Sequence, residues 1–87
     1  MSLINQFENA VQESKQLKEK SGNNVLLNLY AYYKQATTGD VLEEASTINP
    51  FDFVAKAKHN AWEGQRGKSK EAAMQEYIDL ITELKAS

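Results

Sequence analysis

Apolar residues recur at helical spacing in four stretches of this chain, separated by polar or glycine-containing breaks. In the first stretch, Phe7, Ala10, Val11 and Leu17 keep one side of a helix apolar, which predicts a helix from about Ile4 to Lys18. Ser21-Gly22-Asn23-Asn24 ends it, and Asn23 or Asn24 carries the short polar side chain that caps a new helix. Val25, Leu26, Leu29, Tyr33 and Ala36 then continue to Thr38, where Gly39 is a natural C-terminal stop. Asp40 to Pro50 has no clean period, contains the single proline and reads as a long connection. A third helix is predicted from about Phe51 to Glu63, with Phe51, Val54, Ala57, Ala61 and Trp62 inward. Gly64 and Gly67 bracket a turn. Ser69 is suited to cap a fourth helix, with Glu71 where the helix dipole favours a negative charge. That helix runs through Ala73, Met74, Tyr77, Ile78, Ile81 and Leu84. With no β-alternation, internal repeat or low-complexity tract, the expected fold is all-α, one domain over residues 1–87.

The connection between the second and third helices is roughly ten residues, against the usual two to eight or so in a bundle. It is long enough to cross over an end of the bundle, so the helices it joins need not be antiparallel neighbours. Such a crossover can open a bowl between helices.

Composition narrows the function. A chain of 87 residues builds a modest core and leans on regular, well-packed elements. There is no cysteine, which removes disulfides, thiolate chemistry and cysteine-based metal sites. No apolar run approaches the ~20 residues of a membrane span, and Met1-Ser2-Leu3-Ile4-Asn5 lacks signal-peptide architecture. A soluble, cytoplasmic protein without stable membrane insertion is expected. The net charge of −2 argues against general nucleic-acid binding. It leaves room for a small anionic ligand, because lysines cluster locally at Lys15, Lys18 and Lys20 and at Lys56 and Lys58.

The candidate chemistry centres on Leu29 to Thr38, closed by Gly39-Asp40. On a helix, Tyr30, Tyr33 and Lys34 share a face, because residues three and four apart are neighbours. Phenol rings beside an ammonium suit a flat ring joined to a phosphate, as in a nucleotide-like ligand. The same residues taken alone also fit half-buried core tyrosines with wet hydroxyls and a solvated lysine. His59 and Glu63 have the i, i+4 spacing of two metal ligands, but there is no other histidine to complete a site. A surface ion pair or a solvated His59 is therefore expected, with no metal and no cofactor. The single histidine also lacks the partners that nucleophilic catalysis requires, and Gly64 and Gly67 do not form a phosphate-binding loop.

Three ordered blocks carry a resemblance. Leu29 to Asp40 reads Leu-Tyr-x-x-Tyr-Lys-Gln-Ala-Thr-x-Gly-Asp, Phe53 to Trp62 reads Phe-x-x-Lys-Ala-Lys-x-x-Ala-Trp, and Gly67 to Ile78 reads Gly-x-Ser-x-Glu-x-Ala-Met-x-x-Tyr-Ile. With Phe7, Ala10 and Leu17 on the first helix, the chain resembles the acyl-CoA-binding protein family over essentially its whole length. The resemblance implies a four-helix bundle with an overhand crossover between helices 2 and 3, binding medium- to long-chain acyl-CoA non-covalently. It implies that Tyr30, Tyr33, Lys34 and Lys58 surround the adenine and 3′-phosphate. It further implies that Tyr77 lines the acyl or pantetheine portion and that Lys15 adds a charge at the rim.

The chain departs from the family pattern at several places. His59 stands where a second tryptophan is usual, Val54 where lysine is frequent, Ser14 where an aliphatic residue is usual, and Ser21 where proline is frequent. The connection is about two residues longer than common and lacks the usual Arg-Pro-Gly. The expected function is a non-enzymatic monomeric carrier and buffer of acyl-CoA that can serve acyl-CoA-using enzymes. The alternative is a helical protein-interaction module on the same fold. Catalysis ranks last, because catalytic relatives carry it on a separate fused domain and this chain ends at Ser87.

Overall fold

A computed structural model describes residues 2–17, 22–41 and 48–86. The described residues form four helices and no strand: α1 (Leu3–Leu17), α2 (Asn23–Thr37), α3 (Phe53–Glu63) and α4 (Lys70–Ala86). The expected all-α, four-helix class is found. The predicted end of the first helix at Lys18, the break at Ser21 and most of the long connection lie outside the described residues.

Capping sets the helix starts. Ser2 Oγ accepts from the Asn5 N–H at 3.2 Å, and Ser69 Oγ accepts from the Ala72 N–H at 3.1 Å, as expected for α4. At α2 the expectation of an asparagine cap is corrected. The cap position is Gly22, with extended backbone and no side-chain cap bond, and both asparagines are already helical. A side-chain cap needs a residue still in extended geometry, and here the glycine occupies that place. The start of α3 is also corrected: Asp52 Oδ1 accepts from the Ala55 N–H at 3.0 Å, so the helix begins at Phe53 rather than Phe51.

The inward residues of α3 also differ from the expectation. Its buried residues are His59 and Trp62, three apart on one face, with half-buried Ala55 one turn before His59. Phe51, ahead of the cap, is 83% exposed and Val54 is 64% exposed, against the expectation that both point inward. Ala57 and Ala61 are half-buried.

Residue pairings across the helices give their directions. Lys58 lies over Tyr30 and Lys34 lies over Trp62, a constant offset of 28 residues, so α2 and α3 run parallel. Phe7 meets Tyr77 and Glu13 meets Lys85, so α1 and α4 also run parallel. Phe7 meets Tyr33 while Ser14 lies among Leu26, Leu29 and Tyr30, which makes α1 and α2 antiparallel. Parallel neighbours cannot be joined by a tight turn. The chain after α2 must return about 22 Å, the length of a 15-residue helix, which explains why this connection is long. The core beneath is Phe7, Ala10, Leu29, Ala36, Ala73, Tyr77 and Ile81, drawn from α1, α2 and α4.

A polar clasp fixes the far end of α2. Gly39 takes φ +95°, and its N–H reaches the Lys34 and Gln35 carbonyls, both at 3.2 Å. Its carbonyl accepts from the Trp62 indole N–H at 2.8 Å. Asp40 Oδ1 accepts from Gln35 Nε2 at 2.8 Å and from the Gly67 N–H at 2.9 Å. Gln35, buried at 1% exposure, also donates to the Lys68 carbonyl at 2.8 Å. The Gly67 N–H, then the Gln35 amide and the Arg66 charge, hold the Asp40 carboxyl below its ordinary range.

Gly39→Ala should destabilise the protein by about 1–2 kcal/mol, because a side chain resists the left-handed conformation. The nearest side-chain atom to an added Cβ would be Lys70 Cε at 3.6 Å, an ordinary contact, so the cost is in the backbone. Urea unfolding reads it. Because the folded-state pKa of Asp40 is depressed, its stabilisation is present above the ordinary carboxylate range and is lost as pH falls through the lowered value. Asp40→Asn should therefore flatten the acid limb of a stability–pH profile.

Candidate functional site

Three contiguous depressions meet at Tyr30 and Lys58. The central one, about 440 Å³, is lined by Ser14 of α1, Leu26, Leu29, Tyr30 and Tyr33 of α2, Lys58 of α3 and Tyr77 of α4. On one side it adjoins an apolar groove of about 380 Å³ between α2 and α3, walled by Leu26, Leu27, Phe53, Val54 and Ala57. On the other side is a smaller pocket of about 200 Å³, containing Tyr30, Lys34, Ile48, Ala55, Lys58, His59 and Trp62.

Local structure explains each placement. Tyr30, Tyr33 and Lys34 share a face of α2, as their spacing predicts. Tyr33 stacks on Phe7 with ring centroids 6.0 Å apart and planes 24° apart. Phe7 meets Tyr77 edge-on at 5.2 Å, so one phenylalanine of α1 steadies both rings. The Lys34 ammonium lies 4.9 Å from the Trp62 ring centre, and the Lys58 ammonium 5.4 Å from that of Tyr30. His59–Glu63, Lys68–Glu76 and Lys85–Glu13 are ion pairs, and none of them involves Lys34 or Lys58. Two ammonium groups held on ring faces are the chemistry that charge-assisted hydrogen bonds to an anion would require.

The structure thus brings together Tyr30, Tyr33, Lys34, Lys58 and Tyr77. Lys15 is exposed on α1 and lines none of these cavities, although Ser14 beside it does. His59 departs from expectation. It pairs with Glu63, Nε2 to Oε2 at 3.2 Å, but it is buried at 5% exposure rather than on the surface. It falls on the inward stripe of α3, one turn before Trp62. Sequence reasoning missed the groove walls Leu26, Leu27, Phe53 and Ala57 as site residues. The available signal was a second apolar stripe on α2, offset from the Leu29–Ala36 core stripe.

Two other cavities lie apart. One of about 450 Å³ opens on the far side of Tyr33, among Ile4, Phe7, Val11, Ala36 and Met74, rimmed by Glu8 and Lys70. It matches the central depression in size but does not contain Lys34 or Lys58. The other, between α1 and α4, is small and half polar. Among the described residues no cluster of metal-binding side chains is present, and no helix is long and apolar enough to cross a membrane.

The acyl-CoA-binding protein family model matches residues 5–81. A Drosophila melanogaster "Acyl-CoA-binding protein homolog" is 41% identical over 81 residues, covering 93% of this chain and 92% of that protein. A rat (Rattus norvegicus) "Enoyl-CoA delta isomerase 2" is 47% identical over 81 residues, covering 93% of this chain, which spans only 20% of the isomerase. Among solved structures, Oryza sativa Acyl-CoA-Binding Protein 2 superposes with a TM-score of 0.91 at 35% identity, covering 98% of this chain and 92% of that one. An ACBP from Moniliophthora perniciosa gives 0.83 at 37% identity, with 97% and 80% covered. The chain belongs to the acyl-CoA-binding protein family.

Tyr77 supplies a test of how dry the central depression is. Burial raises its hydroxyl pKa above the ordinary value of 10.0, partly offset by a hydrogen bond with Ser14. The folded protein then keeps a proton that the unfolded chain releases, so stability should fall as pH climbs past the ordinary phenol range. Tyr77→Phe should flatten that alkaline limb in unfolding experiments. An unchanged limb would show a wet hydroxyl.

Proposed function

We propose that this chain binds a fatty acyl-CoA ester non-covalently and that it buffers and carries medium- to long-chain esters in the cytoplasm as a monomer. The observation that carries the reading is the junction at Tyr30 and Lys58, where an apolar groove and a pocket with paired lysines open into one depression. An acyl-CoA is one of the few metabolites with a long apolar tail at one end and a phosphorylated nucleotide at the other.

The phosphate end would lie at Lys34 and Lys58 as charge-assisted hydrogen bonds. The adenine would stack on the tyrosine rings, each contact contributing about 1–3 kcal/mol. The acyl chain would lie between α2 and α3, gaining up to ~0.8 kcal/mol per buried methylene, less the cost of ordering a flexible chain. Tyr77 and Ser14 would face the middle of the ligand. Binding of this kind shields the tail from water and releases it by dissociation, with no bond made or broken. The relatives named as isomerases are about five times longer than the match, so their activity is not assigned to this chain. Enzymes that use acyl-CoA are the natural recipients of the released ester.

Calorimetric titration with palmitoyl-CoA, free CoA and palmitate side by side tests the reading. Tight binding of the ester with much weaker binding of either half is expected. No ester binding by folded protein would overturn it in favour of a helical interaction module. Tyr30→Ala should weaken ester binding about ten- to hundredfold with a small change in melting temperature, since the ring is only half-buried. Lys34→Ala should weaken binding of the ester more than that of its analogue lacking the 3′-phosphate.

A further inference from the structure

The central depression has a floor and a rim of different character. Of its lining residues, Ser14, Leu29 and Tyr77 are buried, Leu26 and Tyr30 are half-buried, and Tyr33 and Lys58 are exposed. Two hydroxyl groups therefore sit beside Leu29 on the floor, deeper than the ammonium and the outer phenols.

The protons of these two hydroxyls are already committed. Ser14 Oγ donates to the Val11 carbonyl at 2.6 Å, one turn back on α1, a local bond that serine commonly makes in a helix. A hydroxyl has one proton and two lone pairs, so Ser14 can meet Tyr77 only as an acceptor. The hydrogen bond between their side chains thus runs from the phenol to the serine, and from the serine to the Val11 carbonyl. The phenol oxygen keeps a lone pair and no free proton. The floor is an acceptor set in an apolar surface.

That polarity separates ligands. A ligand hydroxyl can donate to the Tyr77 oxygen and leave the chain of bonds intact. A carbonyl at the same place meets an acceptor, and Tyr77 can serve it only by turning its proton away from Ser14. Each amide of a pantetheine arm brings a carbonyl along with its N–H, so a single hydroxyl on a hydrocarbon suits this floor better. The depression shares Leu26, Tyr30 and Lys58 with the apolar groove. With the tail in that groove, the part of the ligand over the floor is the start of the acyl chain, beside the thioester.

We propose that Ser14 and Tyr77 select among acyl-CoA esters, favouring those with a hydroxyl on the acyl chain near the thioester over their oxo counterparts. Tyr77 is the contact, and Ser14 is the positioning residue that fixes the direction of its proton. The proposal rests on the acyl-CoA reading of the site.

Calorimetric titration of the wild type, Ser14→Ala and Tyr77→Phe with 3-hydroxypalmitoyl-CoA and 3-oxopalmitoyl-CoA tests it, with palmitoyl-CoA as the reference for the carrier reading. The quantity read is the ratio of hydroxy to oxo affinity within one protein, in which a general loss of binding or stability cancels. The wild type should favour the hydroxy ester about three- to tenfold. In Ser14→Ala the phenol proton is released toward the ligand, so the preference should vanish or reverse. In Tyr77→Phe it should vanish. Alanine suits a helix interior, so Ser14→Ala decides alone if Tyr77→Phe folds poorly. Equal affinities in the wild type, or a Ser14→Ala protein that keeps the wild-type preference, would overturn the proposal. A folded wild type that binds none of the three esters would overturn the carrier reading, and with it this one. Ester binding without a hydroxy preference removes only the selectivity.

Discussion

The turn at Gly39-Asp40 holds the arrangement together. Its carbonyl and carboxylate gather the end of α2, the indole of α3 and the loop before α4 through hydrogen bonds of 2.8–2.9 Å. Two of its partners, Trp62 and Gln35, are buried, where an unmade hydrogen bond costs more than a made one contributes. The turn is therefore a specifying contact. It sets α3 in register along α2, and that register places each lysine of the site over its ring.

The site follows from that register. Parallel helices with a constant offset put Lys58 over Tyr30 and Lys34 over Trp62, one turn further along. In the opposite direction the same offset places the apolar residues of α2 beside Val54 and Ala57. An α2–α3 seam that is polar at one end and apolar at the other thus arises from a single docking of two helices. The core of α1, α2 and α4 supplies the stiffness, with Phe7 bracing the two tyrosines that face the central depression.

Exposed apolar residues along the groove have a related origin. Phe53 and Val54 are 76% and 64% exposed. They wall a groove that the fold leaves unfilled. A core residue and a groove-wall residue therefore carry the same sequence signal, an apolar position at helical spacing. The sequence alone could not separate Val54 from Ala61.

What the sequence determined by itself was local. Apolar periodicity, Ser69 and Gly39 fix where helices run and where they stop, because capping and helical sterics act over a few residues. The spacing of Tyr30, Tyr33 and Lys34 fixes their common face for the same reason. Only the tertiary structure decided that α2 and α3 run parallel, that His59 is buried against the lysine pocket, and that Phe51 and Val54 point outward. Those facts depend on which helix meets which face, and that is set by contacts between residues far apart in sequence. Periodicity shows that a helix has an apolar side. Docking decides how much of that side becomes core and how much is left as an open groove.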